Sequence, residues 1–132
     1  MNDGILFERI NTIPPLINTS TNKRQAAIAV TDASTATNLA ALIPKVVNGH
    51  YVELTADGAD IYYAFADSDS AEVDPEATAD DPKVCQVLTD GTTKTVRIIG
   101  GYTYVVAMVK SGSAVLRVAV ASLRYGHGPE NL

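Results

Sequence analysis

The side chains best suited to chemistry in this 132-residue chain are carboxylates, and they cluster. Asp67, Asp69, Glu72 and Asp74 fall within DSDSAEVDPEATADDP, residues 67–82, which holds seven carboxylates, two prolines and no basic residue. Closely spaced oxygen ligands are how calcium loops are built. The EF-hand version needs ligands at its first, third and fifth places and glycine at the sixth. Counted from Asp67, Ala71 stands fifth and Glu72 sixth, so the pattern fails. The expected reading is a solvated acidic loop, with a looser calcium site as the alternative. Paired carboxylates also serve glycoside hydrolysis, but here they lie mostly in one loop, and the chain has no tryptophan to stack a sugar. Tyr51, Tyr62, Tyr63, Tyr102 and Tyr104 are the available aromatic platform; in strands such tyrosines form cross-strand packing pairs more often than they bind sugars.

The other reactive groups are sparse. His50 and His127 are the only imidazoles, and neither stands at a metal-ligand spacing from a second His or Cys. No G-x-S-x-G elbow is present, and a nucleophilic triad needs a base placed beside its nucleophile. Cys85 is the single cysteine, so it forms no internal disulfide; alternation with Val87 points it at the core or a partner. A disulfide-stapled secreted framework is excluded, and cytosolic synthesis is expected. No catalytic, cofactor or metal residue is assigned.

The elements that must position these groups read as strands. Thr93 to Ser122 holds three apolar, β-branched runs separated by Gly100-Gly101 and by Ser111-Gly112-Ser113. This is the pattern of antiparallel strands joined by tight turns. Gln25 to Thr31 alternates, with Ala26, Ile28 and Val30 on one face. Thr37-Asn38 caps a short helix or turn at Leu39 to Ile43, which Pro44 stops. His50 to Ala56 and Asp60 to Ala66, joined by Asp57-Gly58, read as a hairpin. Lys83 to Thr89 is a further strand. About seven short strands with glycine turns predict an all-β fold: an antiparallel β-sandwich or a small jelly-roll-like barrel, over residues 25–122. Residues 1–24 read as an extended N-terminal arm and residues 123–132 as a C-terminal tail.

The arm is braced by Pro14 and Pro15, yet Ile5, Phe7, Ile10, Ile13, Leu16 and Ile17 make it too apolar for a solvated tail. It packs along its own domain or lies on a neighbouring subunit. Its acidic, proline-interrupted start does not read as a signal peptide, and nothing approaches the roughly 18 apolar residues of a membrane span. The net charge is −5 and unevenly spread. Residues 50–90 carry −10, residues 91–132 carry +4 and residues 1–49 carry +1. An acidic chain with no basic cluster argues against nucleic acid as main partner. If Arg97 and Arg117 share an outward face, they form a basic strip able to dock on the acidic loop of a neighbour, with Arg124 and Tyr125 as further contacts near the end of the chain.

Two stretches carry a family likeness. GHYVELTADGADIYYAF is followed by a variable loop, a strand and a turn, then by GTTKTVRIIGGYTYVVAMVKSGSAVLRVAVAS. In strand rhythm and turn placement, residues 25–122 resemble the small β-sandwich virion proteins of tailed bacteriophages, in particular capsid decoration or cement proteins. The resemblance implies a protein made in the host cytoplasm and located in the virion. It implies a homo-oligomer, often a trimer, that binds the major capsid protein and braces its subunits without catalysis. It supplies no ligand residues, and the long 67–82 loop departs from it. The alternative expectation is a receptor- or glycan-binding module of a phage tail or fibre, with Tyr51, Tyr62 or Tyr102 exposed in a groove. A small enzyme is the third.

Overall fold

The computed structural model describes residues 18, 23–44 and 51–121, and structural statements below concern these. They form eight strands: β1 (Gln25–Thr31), β2 (Thr35–Asn38), β3 (Tyr51–Asp57), β4 (Ile61–Ala66), β5 (Gln86–Leu88), β6 (Thr93–Arg97), β7 (Tyr104–Met108) and β8 (Ser113–Ala121). One helical turn, α1 (Leu39–Leu42), follows β2. The strands build two four-stranded sheets, in the orders β1-β8-β3-β6 and β2-β7-β4-β5, and every pairing is antiparallel. This is the strand order of a double-sheet jelly roll. The two sheets stay separate and no barrel closes, so of the two expected architectures the sandwich stands.

The alternation read from the sequence is what the layers use. On β3, Val52, Leu54 and Ala56 are buried while Tyr51, Glu53 and Thr55 face out half-buried. On β8, Ala114, Leu116 and Val118 point the same way as that buried row. Ile61 of β4, Val105 and Ala107 of β7, and Leu88 of β5 face them from the second sheet. Leu39 and Ile43, both 0 % exposed, fill the core from the β2–β3 connection. There Asn38 caps α1: its side-chain oxygen accepts from the Ala40 N–H at 3.1 Å and from the Thr103 hydroxyl at 3.1 Å.

Several strand partners differ from the expected ones. β3 and β4 are not a hairpin: they lie in different sheets, and Asp57 to Asp60 carries the chain from one layer to the other. The last three strands likewise alternate between sheets, so their glycine turns are arches across the sandwich. Only β4 and β5 are consecutive strands in the same sheet. The physical reason is that both faces of such arches are apolar inward and polar outward, as in a hairpin, so local pattern cannot tell them apart. β2 was not among the expected strands; its four residues TATN gain strand form by pairing with β7. The strand expected over Lys83 to Thr89 shortens to Gln86–Leu88.

At one end the arches are laced together. The Asp90 N–H donates to Asp60 Oδ1 at 2.8 Å, and Asp90 Oδ1 accepts from the Gly58 N–H at 2.9 Å. Gly58 has φ +114°, a region that side chains other than hydrogen rarely adopt.

Candidate functional site

Three surfaces outside the core carry the groups singled out by the sequence. The first is the outward face of the β1-β8-β3-β6 sheet. Register places Arg97 opposite Tyr51 and Arg117 opposite Thr55, and Tyr51, Glu53 and Thr55 all face out. The two arginines therefore do share that face. They do not form a strip. Four residues along the strands and two strand spacings separate them, roughly 16 Å. Arg117 is occupied: its Nε and Nη2 both donate to Asp57 Oδ2, at 3.1 and 2.9 Å. Glu53 stands on the same face between them. Arg97 makes no ion pair with any described residue.

Arg97 instead lines a cleft of about 350 Å³ with Phe65, Ile99 and Tyr102. The turn that forms this rim is closed by the Tyr102 N–H donating to the Ile99 carbonyl at 2.9 Å. Gly101, at the third position of that turn with φ +82°, supplies the backbone shape that a side chain would resist. The turn pushes Ile99 and Tyr102 outward, to 60 % and 46 % exposure. Phe65 lies deeper, edge-on to Tyr63 at 6.4 Å between centroids. An apolar floor, two exposed large side chains and one unpaired guanidinium suit contact with a partner or a planar ligand. No carboxylate, thiol or imidazole is among the described residues lining it.

The second surface is the acidic loop, which is not simply solvated. The chain leaves β4, yet the Val73 N–H donates to Ser34 Oγ at 2.9 Å, beside the start of β2 at the opposite edge of that sheet. The loop is therefore a strap across the outward face of the β2-β7-β4-β5 sheet. It explains two burials that lie outside the central core: Val73 at 5 % and Val106, on the outward face of β7, at 1 %. Coverage stops at β5, where Val87 is 48 % exposed. Two of the strap's carboxylates close its own turns and two more meet lysines. Asp74 Oδ1 accepts from the Glu76 N–H, and Asp81 Oδ1 from the Lys83 N–H. Glu72 meets Lys83 at 3.1 Å, and Glu76 meets Lys110 at 3.4 Å. The hydrogen bond and charge of Glu72 hold the Lys83 amine above its ordinary range. Lys110 also lies over the Tyr62 ring, 5.4 Å from its centroid. No group of three or more His, Cys, Asp or Glu side chains is placed to hold a metal among the described residues.

Cys85 closes the strap. Its thiol donates to the Asp74 carbonyl at 3.6 Å and is half-buried. Burial raises its pKa, the carbonyl contact opposes this, and the Asp74 charge adds to it.

The third surface is the edge of β1 away from β8, which pairs with no second strand among the described residues. Asn18 lies against its start: its amide nitrogen donates to the Gln25 carbonyl at 2.8 Å, and its oxygen accepts from the N–H groups of Arg24 and Gln25 at 2.7 and 3.0 Å. A shallow cleft of about 230 Å³ runs there, lined by Asn18, Gln25, Ala26, Ala27 and Arg117. Sequence reasoning missed this edge, although the uncharged run AAIAV was visible.

The remaining sequence-derived contacts, Ile5, Phe7, Ile10, Ile13, Leu16 and Ile17 of the arm and Arg124 and Tyr125 of the tail, lie outside the described residues, as do His50 and His127. Among the described residues no helix is long and apolar enough to cross a membrane. Comparison with protein-family models, with curated proteins and with solved structures gave no match.

Proposed function

We propose that the chain is a non-enzymatic structural protein of a bacteriophage virion, a capsid decoration or cement protein. In this reading it assembles as a homo-oligomer, a trimer by the family likeness, and braces the major capsid protein. The observation that carries it is the exposed apolar rim: Ile99 and Tyr102 stand out beside Arg97, which makes no ion pair with any described residue. Apolar side chains gathered with arginine favour being covered by a partner. The apolar composition of the arm supports the same reading. The jelly-roll order supports it weakly, since this architecture serves capsid and lectin domains alike and fold does not fix function.

The test is the full chain against a chain lacking residues 1–20, followed by solution mass from light scattering and by co-sedimentation with capsids of the parent virus. The expected result is a trimer that binds capsids, with both properties lost on deletion while the β-sheet spectrum persists. A full-length monomer with no affinity for capsids sinks the proposal.

One observation favours a second reading, a receptor- or glycan-binding module. Tyr102 is exposed in a cleft with Phe65 and Arg97, an arrangement able to stack a sugar ring and bind its hydroxyls. A glycan array that lights up for the full chain and goes dark for Tyr102→Ala selects this reading over the first.

A further inference from the structure

We propose that the open edge of β1 receives an added strand from a second copy of the chain, and that this strand is the proline-free segment of the arm, residues 4–12. The inference rests on the oligomeric reading above and names which segment meets which surface.

Among the described residues the two sheets have four edge strands: β1, β6, β2 and β5. Unpaired edges invite other strands, and proteins blunt them by shortening, charge or cover. Three of the four are blunted. β2 has four residues and β5 three. β6 carries Lys94 and Arg97 within five residues. β1 has seven residues, QAAIAVT, with no charge, proline or glycine.

The pairing shows which of its backbone groups are open. The Val120 N–H donates to the Arg24 carbonyl, so residues 24, 26, 28 and 30 direct their peptide groups toward β8. Residues 25, 27, 29 and 31 direct theirs away. Two of these are already met: Gln25 by the Asn18 carboxamide, and the Thr31 carbonyl by the Val109 N–H at 2.9 Å. The peptide groups of Ala27 and Ala29 lie between, and both residues are exposed. Asn18 thus does for Gln25 what the peptide of a neighbouring strand would do, and the position for that strand continues past it. Ala26 and Ile28, half-buried at the margin of the core, would be covered by the same addition.

The length and sequence of the arm decide the occupant. Five residues, 13–17, separate Asn18 from the segment 4–12. Extended, they span about 16 Å, most of the length of β1. In the same copy, continuing antiparallel from Asn18 opposite Gln25, they would set Leu16 against Ala27 and Pro14 against Ala29, and proline has no N–H to give. The segment GILFERINT would fall beyond the strand. Those nine residues have no proline and span about 30 Å, more than the roughly 23 Å of β1, so on a neighbour they reach across the open positions at Ala27 and Ala29. Ile5 and Phe7 alternate toward one side, as the half-buried margin at Ala26 and Ile28 requires. Each copy would give an arm and receive one, a head-to-tail contact that closes into a ring.

The experiment is hydrogen exchange at the Ala27 and Ala29 amides of the full chain, across a range of concentrations, with solution mass measured in parallel. The expected result is exchange slowed about 100-fold or more where the oligomer forms, returning to the open rate on dilution. Leu6→Pro should abolish the slowing. So should Ala29→Pro, which removes an outward N–H and no bond to β8. Ala27→Lys replaces it as the blocking variant if that protein fails to fold. Fast exchange at every concentration overturns the proposal, as does slowing that is independent of concentration. An oligomer that survives Leu6→Pro with both amides open refutes this strand exchange and leaves the decoration reading standing. A monomer at all concentrations takes down both.

Discussion

The Val73 N–H donates to Ser34 Oγ at 2.9 Å, joining residues 39 apart in sequence and pinning the acidic strap to the far edge of the sheet it crosses. Without that contact Val73 and Val106 would have no reason to be buried on an outward face. Ser34→Ala leaves the Val73 N–H without its partner and should cost about 1 kcal/mol. Val73→Ala removes buried methyl groups and should cost a similar amount, about 1–2 kcal/mol. Both variants should be cleaved faster within residues 67–85 in limited proteolysis, with the eight strands intact. Equal cleavage rates for variant and parent would mean the strap is held elsewhere.

Gly58 tests the arches. Its φ of +114° and the Ala114 Cα at 3.5 Å from an added Cβ make Gly58→Ala a strained substitution, expected to cost about 1–3 kcal/mol in thermal or urea unfolding. Asp90→Ala removes the acceptor of the Gly58 N–H and should cost about 1 kcal/mol. The two share one contact, so the double variant should lose less than the sum.

The Arg117–Asp57 pair should contribute little. Its side chains are 57 % and 55 % exposed, and exposed pairs are screened. A double-mutant cycle with Arg117→Ala and Asp57→Ala should give a coupling of about 0–1 kcal/mol, smaller still at high salt. A larger value would mean that the outward face is covered in solution.

Cys85 has a thiol pKa raised by burial, so less thiolate is present at neutral pH than on an exposed cysteine. Alkylation by iodoacetamide should be slow at pH 7, and its rate should rise at a higher pH than for a free thiol. Ser34→Ala, by loosening the strap, should shift that rise back toward ordinary values. A thiol that reacts in the parent as fast as free cysteine would refute the buried placement.

The outline of the fold was legible in the sequence, and its wiring was not. Alternation at Val52-Leu54-Ala56 and at Ala114-Leu116-Val118 marks strands because side-chain direction repeats every two residues. The same alternation cannot say which sheet a strand joins. Asp57-Gly58 carries the usual hairpin residues, yet it bridges the layers, since a positive φ serves an arch as well as a hairpin. The strap was legible as a long acidic segment. Its burial was not, because Val73 is one apolar residue among carboxylates and its contact with Ser34 is 39 residues distant. That Arg97 and Arg117 share a face stood only as a condition in the sequence, because it depends on register, as does what separates them, Glu53 and the Asp57 pair.

β1 pairs with β8, so Gln25 lies opposite Ala119. The first strand of the sandwich has no ladder until the last has been synthesised. Until β8 has left the ribosome the apolar run of β1 therefore has no partner strand among the described residues, while β3 and β6 and the whole second sheet can already pair. Closure of such long loops is slow, in the millisecond-to-second range of β-rich folds. Shortening the chain by even a few residues inside β8 would cost it both neighbours of that strand at once, β1 and β3.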